Sequence, residues 1–296
     1  MTEVVASRAG GGGFGTRLQQ AVGKRGRLCV GIDPHEFLLD AWGLPNTAAG
    51  AGEFGLRVVE AAAGRTGVVK PQIAFFERFG AAGFTALEAV LGAARDAGLL
   101  VIADVKRGDV GTTLEAYAKA WLEVGSPLEA DAMTVNPYQG FDSLAAALEL
   151  AERLDKGLFV LSATSNPEST SIQTARRVHG SQLGATVAGG IAKRAAAWNA
   201  DHARGEFGSV GLVLGGTVDF DLLGVDLPSL GKAPRTPVLA PGFGHQGAEF
   251  ARIRDTFGEA TESIIVNVSR SVLAAGPDRI TAAIDEQTAE LEDVLS

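Results

Sequence analysis

Cysteine is almost absent from this chain of 296 residues, because Cys29 is the only one. A single cysteine excludes an intrachain disulfide. Its place inside the apolar run Leu28–Val30 predicts a buried thiol, which is typical of proteins from a reducing compartment.

Cationic side chains are also in the minority, since 26 lysines and arginines stand against 35 aspartates and glutamates, for a net charge of −9. This balance argues against nucleic-acid binding, although a few local cations suffice for one small anionic ligand. The sequence has no apolar run of about 20 residues and no signal-like N-terminus. We therefore expect a cytoplasmic protein with neither a nucleic-acid nor a membrane partner.

The chain does contain a regular alternation of short aliphatic runs and helical stretches. Alternation of this kind predicts a parallel sheet, and eight such units in about 250 residues indicate an α/β fold of the (β/α)₈ (TIM barrel) type. A doubly wound open sheet stays the alternative. The predicted strands are Leu28–Asp33, Gly67–Gln72, Leu99–Lys106, Asp131–Asn136, Gly157–Ser162, Val210–Gly215, Pro237–Ala240 and Ser263–Val268. The predicted helices include Ala81–Ala97, Thr113–Val124, Ser143–Arg153 and Leu183–Arg204.

No linker divides the chain, so we expect residues 1–296 to form one catalytic barrel domain with a flexible N-terminal tail of about residues 1–13. The glycines of Arg8–Gly15 follow no predicted strand, which argues against a dinucleotide fingerprint. Two long connections, Pro34–Ala51 and Ala163–Ser209, leave the ends of strands 1 and 5. The sequence indicates no role for either connection.

Charged residues gather where the first three predicted strands end. Asp104 and Lys106 are two residues apart on strand 3, so both face the same side as Ile102, and Asp109 can fold back from the turn toward Lys106. Lys70 of strand 2 and Asp33 of strand 1 join them, because neighbouring strand ends converge in a barrel. Buried charges are costly unless paired, and barrel enzymes catalyse at this face. A solvated salt-bridge network is the alternative interpretation.

A candidate phosphate site lies near the end of the chain. Strand 7 runs into the glycine-rich segment Pro241–Gly247, and strand 8 runs into Ser269 and Arg270. Glycines let backbone amides approach an anion, a guanidinium offers a planar fork of donors, and the loops after strands 7 and 8 often bind phosphate in such barrels. The four histidines have no metal-ligand spacing, and Phe75 and Phe76 are expected in the core.

Together these segments resemble the orotidine 5′-phosphate decarboxylase family, in its longer bacterial-type branch. The similarity covers nearly the whole chain, from about Phe14 to the last helix. The matching motifs are Asp104-x-Lys106-x-x-Asp109 with Thr113, Lys70-Pro71-Gln72-x-Ala74-Phe75-Phe76-Glu77, Thr164-Ser165-Asn166-Pro167, Pro241-Gly242-x-Gly244-x-Gln246-Gly247 and Asn267-x-Ser269-Arg270.

The resemblance implies a carboxy-lyase that converts orotidine 5′-phosphate to UMP and CO₂ in pyrimidine biosynthesis, with no metal and no organic cofactor. It implies that Lys106 protonates C6 and that Asp104 lies beside the departing carboxylate. Lys70 and Asp33 would hold the ribose and the charge network.

The resemblance also implies the remaining contacts. In a homodimer, Asp109 and Thr113 would reach into the neighbouring subunit's site. The other implied substrate-binding residues are Ser162 for the pyrimidine, Gln246 and Arg270 for the phosphate, and Asn136 at the end of strand 4. Two alternatives stay open: a metal-dependent sugar-phosphate decarboxylase or aldolase on the same barrel, and a non-catalytic barrel that binds nucleotide phosphates.

Overall fold

The structure, a computed structural model, describes residues 12–180, 182–244 and 247–296. Eight parallel strands in this part of the chain form a closed barrel in chain order, with β1 paired to both β2 and β8. This closure confirms the predicted (β/α)₈ fold and rules out the open sheet. The strands are β1 (Leu28–Ile32), β2 (Val68–Pro71), β3 (Leu100–Arg107), β4 (Ala132–Val135), β5 (Gly157–Ala163), β6 (Val210–Leu214), β7 (Val238–Ala240) and β8 (Ile264–Val268).

Helices surround the barrel and follow its strands. No helix in the described ranges is both long and apolar enough to cross a membrane. The predicted tail of residues 1–13 lies almost wholly outside the described residues. The helices are α1 (Phe14–Arg25), α2 (Glu36–Ala41), α3 (Ala48–Ala62), α4 (Ala74–Glu77), α5 (Gly80–Asp96), α6 (Gly111–Leu122), α7 (Ala145–Arg153), α8 (Thr170–Gln173), α9 (Val187–His202), α10 (Leu227–Gly231), α11 (Ile253–Phe257), α12 (Arg270–Leu273) and α13 (Ile280–Leu295).

Each strand presents alternate residues to the inside of the barrel and to the helices, as the pleat requires. On β3, Ile102 belongs to the inner cluster, whereas Val101 and Ala103 pack in the outer one, as predicted. Cys29 is fully buried in the inner cluster, which confirms the expected environment of the thiol. The inner cluster consists of Cys29, Val68, Leu100, Ile102, Ala132, Phe159, Leu239 and Ile265 of the strands with Phe14, Leu18 and Val22 of α1.

Helix α1 closes the N-terminal end of the barrel. Its apolar face enters the inner cluster, and the ring of Phe14 meets that of Phe159 edge-on, with centroids 6.1 Å apart. A Cβ at Gly157 would lie 2.3 Å from the Phe14 ring, so only glycine admits this packing. Because α1 fills one end, a ligand can enter the barrel from the other end, where the strands terminate.

Strands β3 and β4 lose their regular pairing near that open end. Ala103 pairs with Met133, but the next pair joins Arg107 to Val135. Three residues of β3 therefore face Thr134 alone. Such a bulge bends the strand and redirects its side chains, and it is over-represented next to active sites.

Candidate active site

A cavity of about 380 Å³ opens at the C-terminal end of the barrel, and all eight strands or the loops that follow them contribute to its wall. Of the predicted site residues, Asp33, Lys70, Asp104, Lys106 and Arg270 line it. The barrel thus brings together residues that are up to 237 positions apart in the chain (33 to 270).

The Asp104 carboxylate is the centre of the hydrogen-bond network on one side of the cavity. Its Oδ2 accepts from Lys70 Nζ and Gln72 Nε2, each at 2.9 Å. Its Oδ1 accepts from Lys106 Nζ at 2.6 Å and from Thr134 Oγ1 at 2.8 Å. Four donors hold this buried carboxylate in one orientation.

Two ammonium groups keep Asp104 ionised. Burial alone would raise the pKa of Asp104, but Lys70 and Lys106 outweigh it and hold that pKa well below its usual value. Burial alone would lower the pKa of Lys70, but Asp104 and Asp33 outweigh it and raise that pKa. The charges therefore persist at neutral pH in a place where each would be unstable alone.

Lys106 is the more exposed of the two ammonium groups that line the cavity. Its side chain is 45% exposed, whereas that of Lys70 is only 6% exposed. The backbone of Lys106 has a φ of +47°, a left-handed conformation that is uncommon for residues other than glycine. Its amide donates to Thr134 Oγ1 at 2.8 Å, which secures this conformation.

Two acceptors at the C-terminal ends of the neighbouring strands β1 and β8 have no hydrogen-bond partner among the described residues. Asp33 Oδ1 and Asn267 Oδ1 are buried, line the same cavity and accept no hydrogen bond from any described residue. Buried polar atoms normally have partners, so these two oxygens call for donors such as ligand hydroxyl groups.

The groups at the ends of β7 and β8 are hydrogen-bond donors and a cation, which suit an anionic ligand. Arg270 lines the cavity and forms no ion pair within the described residues. Gly242 and Gly244 adopt φ values of 105° and 76°, which only glycine adopts readily. Backbone amides and a guanidinium at this position can bind a phosphate. Gln246, the other predicted phosphate ligand, lies outside the described residues.

Four predicted site residues in the described part of the chain lie outside the cavity: Asp109, Thr113, Asn136 and Ser162. Asp109 does not fold back toward Lys106, because its Oδ1 accepts from the Val110 amide at 2.8 Å instead. Thr113 is exposed in the first turn of α6. Asn136 is exposed and accepts at Oδ1 from the Tyr138 amide at 3.1 Å.

The structure does not support the predicted pyrimidine contact from Ser162. This residue lies on the outer face of β5, where its buried hydroxyl donates to the Ala188 carbonyl of α9 at 2.9 Å. Its neighbour Leu161 lines the cavity instead. The alternation of the strand thus places the hydroxyl on the wrong side of the sheet.

Sequence reasoning missed several residues of the cavity wall. Gln72 and Thr134 are the two that form hydrogen bonds with Asp104. The alternation of inward and outward residues along the predicted strands could have revealed both, because both point into the barrel. Phe76 is buried as predicted, but Phe75 lines the cavity.

His35, which follows β1, also lines the cavity. The centroid of its ring lies 4.1 Å from that of Phe75. Burial lowers the pKa of His35, although the charge of Asp33 opposes this effect.

The long connection after β5 also contributes to the site. Thr164, Ser165 and Asn166 line the cavity. The Gln173 side chain fixes this segment, because it accepts from the Thr164 amide at 3.0 Å and donates to Thr164 Oγ1 at 2.8 Å. The start of the connection is therefore part of the site, a role that its sequence did not reveal.

The described residues contain no cluster of three or more His, Cys, Asp or Glu side chains that could hold a metal ion.

A model of the orotidine 5′-phosphate decarboxylase / HUMPS family matches residues 26–284. The chain belongs to this family. The expected family resemblance is thus confirmed.

Relatives in the orotidine 5′-phosphate decarboxylase / HUMPS family align with almost the entire chain. The orotidine 5′-phosphate decarboxylase of Streptomyces coelicolor is 46% identical over 286 residues, which are 96% of this chain and 98% of that protein. That of Corynebacterium efficiens is 46% identical over 280 residues, or 94% and 96% of the two chains. A Streptomyces avermitilis protein solved as a candidate orotidine 5′-phosphate decarboxylase superposes with a TM-score of 0.88 at 45% identity, covering 96% of each chain.

Proposed function

We propose that this chain decarboxylates orotidine 5′-phosphate to UMP and CO₂, the activity for which its relatives are named. The observation that most directly supports this proposal is the Lys106 ammonium, which faces the cavity beside an ionised Asp104. Arg270 lines the same cavity. A proton donor and an anchor for a phosphate are therefore present in one site. The same activity would place the chain in pyrimidine biosynthesis.

The proposed substrate occupies the cavity from β3 to β8. Arg270, the amides of the loop after β7 and Gln246 bind the phosphate. Ribose hydroxyls donate to the unpaired oxygens of Asp33 and Asn267. The segment Thr164–Asn166 after β5, which offers polar groups to the cavity, binds the edge of the pyrimidine.

The proposed reaction needs only one proton transfer from the protein. The bond between C6 and the carboxylate breaks, CO₂ leaves, and the electron pair remains on C6. Lys106 Nζ then donates a proton to C6, and the neutral amine takes up a proton from water. The ring delocalises the C6 charge poorly, so the fixed ammonium must stabilise a localised carbanion.

Asp104 contributes in a smaller way to the proposed reaction. A substrate carboxylate about 4 Å from Asp104 would be repelled by about 4 kcal/mol at an effective dielectric constant near 20. The most proficient enzymes lower their barriers by about 20 kcal/mol. Repulsion is therefore a minor contribution, and the main role of Asp104 is to orient the Lys106 ammonium, which it contacts at 2.6 Å.

We further propose that the active form is a homodimer with shared sites. Asp109 and Thr113 do not line the cavity of their own chain, which is consistent with a role in a partner's site. Two apolar side chains beside them are open to solvent, with Val110 53% and Tyr117 39% exposed. A second copy that covers this surface would bury both side chains.

The test follows the loss of orotidine 5′-phosphate by absorbance, with EDTA present, for the unmodified protein and for Lys106→Ala. We expect turnover that EDTA does not change, and a loss of about 10³-fold or more in kcat for Lys106→Ala, since it removes both the proton donor and the fixed charge. Lys193→Ala on α9, which removes an exposed lysine that does not line the cavity, should retain full activity.

Three results would contradict the proposal. Absence of consumption by the unmodified protein would remove it altogether. Tight UMP binding without turnover would favour a non-catalytic binding barrel, and turnover of a sugar phosphate that EDTA abolishes would favour the metal-dependent alternative.

A further inference from the structure

We infer that Thr134 is a positioning residue, whose hydroxyl group fixes the Lys106 backbone and the Asp104 carboxylate relative to each other. The inference rests on the proposed decarboxylation, in which these two residues act together. Thr134 lies on β4, lines the cavity and is only 1% exposed.

The bulge between β3 and β4 creates the need for such a residue. Regular pairing stops after Ala103 and resumes at Arg107, so the backbone between them cannot complete the ladder with β4. A backbone N–H left without a partner inside a protein is costly. The amide of Lys106 avoids this cost by donating to Thr134 Oγ1 at 2.8 Å rather than to a backbone carbonyl.

The same hydroxyl group also acts as a donor. Its single proton goes to Asp104 Oδ1 at 2.8 Å, and Asp104 Oδ1 in turn accepts from Lys106 Nζ at 2.6 Å. Three hydrogen bonds thus close a ring that includes the backbone and the side-chain end of Lys106. Valine has the shape of threonine but neither function, whereas serine retains both.

This ring explains how Lys106 can keep an unusual backbone conformation. A residue with φ near +47° costs energy unless its surroundings hold it there. Without the hydroxyl, the backbone of Lys106 can relax toward an ordinary conformation, and its ammonium then moves away from the position set by Asp104. Thr134 thereby determines where the proton donor lies without touching the reacting carbon.

The test compares Thr134→Val, Thr134→Ser and the matched control Thr236→Val, which removes another buried hydroxyl, next to the start of β7 at the opposite end of the barrel. We expect Thr134→Val to lower kcat about a hundredfold, the cost of displacing a catalytic group by about 1 Å. UMP should bind as to the unmodified protein in calorimetry, because the phosphate and ribose contacts are elsewhere. Thr134→Ser should recover most of kcat. Thr236→Val should have the kcat of the unmodified protein, although its melting temperature falls about as much as that of Thr134→Val.

A second measurement does not depend on turnover. Limited acetylation followed by peptide mass spectrometry gives the rate at which Lys106 reacts, with the exposed Lys193 as the internal reference. We expect Lys106 to react several-fold faster in Thr134→Val than in the unmodified protein, because its amine is no longer held on Asp104. Thr134→Ser should react like the unmodified protein.

Each outcome bears on one proposal. If the unmodified protein fails to consume orotidine 5′-phosphate, the proposed function is lost, and acetylation still tests the positioning role. If turnover is normal but Thr134→Val keeps its kcat, or Thr134→Ser is equally impaired, Thr134 does not position Lys106. A parallel loss of UMP binding, or an unchanged acetylation rate, would also overturn the inference.

Discussion

Lys70 and Lys106 have identical side chains but different environments, and the difference assigns them different roles. Both donate to Asp104, one to each carboxylate oxygen. Lys70 is enclosed among strand ends, where Asp104 and Asp33 raise its pKa despite its burial, so it serves as a permanent counter-charge. Lys106 is 45% exposed and lines the cavity, so its ammonium can deliver a proton to a ligand. Position on the strand, rather than residue type, distinguishes the two lysines.

Arg270 is a second single residue whose role can be tested, because it would bind the phosphate at a distance from the reacting carbon. We predict that Arg270→Ala lowers kcat/KM for orotidine 5′-phosphate by several orders of magnitude although Arg270 contacts no reacting atom. The reason is that binding energy from the phosphate is used to orient the ring at Lys106. Steady-state kinetics with orotidine 5′-phosphate and with orotidine, which lacks the phosphate, measure the effect.

The two substrates separate the role of Arg270 from general damage. Turnover of orotidine should be nearly the same in Arg270→Ala and in the unmodified protein, because neither forms the phosphate contact. Arg279→Ala, at the exposed start of α13, serves as the control and should behave normally with both substrates. A loss below about tenfold (roughly 1.4 kcal/mol) with the phosphorylated substrate would refute the prediction.

Among the secondary-structure elements, β3 and the α6 helix that follows it connect the site to the exposed surface. The bulged end of β3 holds Asp104 and Lys106 in the cavity, and the turn then directs Asp109 away from it. Helix α6 begins at Gly111 with a φ of +55°, which a residue with a side chain adopts at a cost. One element therefore supplies groups to its own cavity and others to the surface proposed for the partner.

Complementation between two inactive variants tests the shared site. Lys106→Ala and Asp109→Ala should each be inactive alone, but mixing and refolding them in equal amounts should restore about a quarter of normal activity. The value follows from two-fold symmetry, since half of the dimers are mixed and each mixed dimer has one intact site. Activity that stays at the average of the two variants would show that Asp109 acts within its own chain or not at all.

The closed barrel as a whole brings distant parts of an acidic chain into a locally cationic cavity. The molecule has a net charge of −9, yet three cationic and two anionic side chains (Lys70, Lys106 and Arg270 against Asp33 and Asp104) line the site. Such a cavity suits a substrate that has both a phosphate and a carboxylate. Closure also determines which charges become neighbours, because β8 pairs with β1 and places the residues after both strands side by side.

The stability of the whole molecule should depend on pH through this cluster. The pKa of Asp104 is held below its usual value of about 3.9, so the stabilisation it provides is present above that pH and is lost as pH falls below it. Lys70 has a raised pKa, so its stabilisation is present below the usual lysine pKa of about 10.4 and is lost as pH rises above it.

Urea unfolding between pH 2.5 and 6 at fixed protein concentration measures how stability falls as Asp104 becomes protonated. We expect the free energy of unfolding of Asp104→Asn to change less steeply with pH than that of the unmodified protein, by up to about 1.4 kcal/mol per pH unit. Glu149→Gln, which removes an exposed carboxylate of α7, should leave the slope unchanged. Equal slopes for Asp104→Asn and the unmodified protein would mean that the fold does not hold Asp104 ionised.

The strands, their order and the inner face of β3 were predictable from the sequence, because the alternation along a strand is a local property of the chain. All eight strands were predicted to within one residue at both ends. The same alternation grouped Asp104 and Lys106 on one side, and the convergence of neighbouring strand ends predicted that Asp33 and Lys70 would lie beside them. Arg270 was predicted as part of a phosphate site after strand 8, and the structure places it in the same cavity. These predictions needed only periodicity and the rule that barrel strands end at one face.

What the tertiary structure alone decided depends on contacts between segments far apart in the chain. The packing of β5 in the barrel turned the face with Phe159 and Leu161 inward, so Ser162 on the other face points to α9. Phe75 lines the cavity from α4, although the sequence predicted it in the core. The bulge that brings Thr134 to Lys106 is a property of two paired strands. A sequence specifies which residues alternate, but the pairing of strands determines which of them meet.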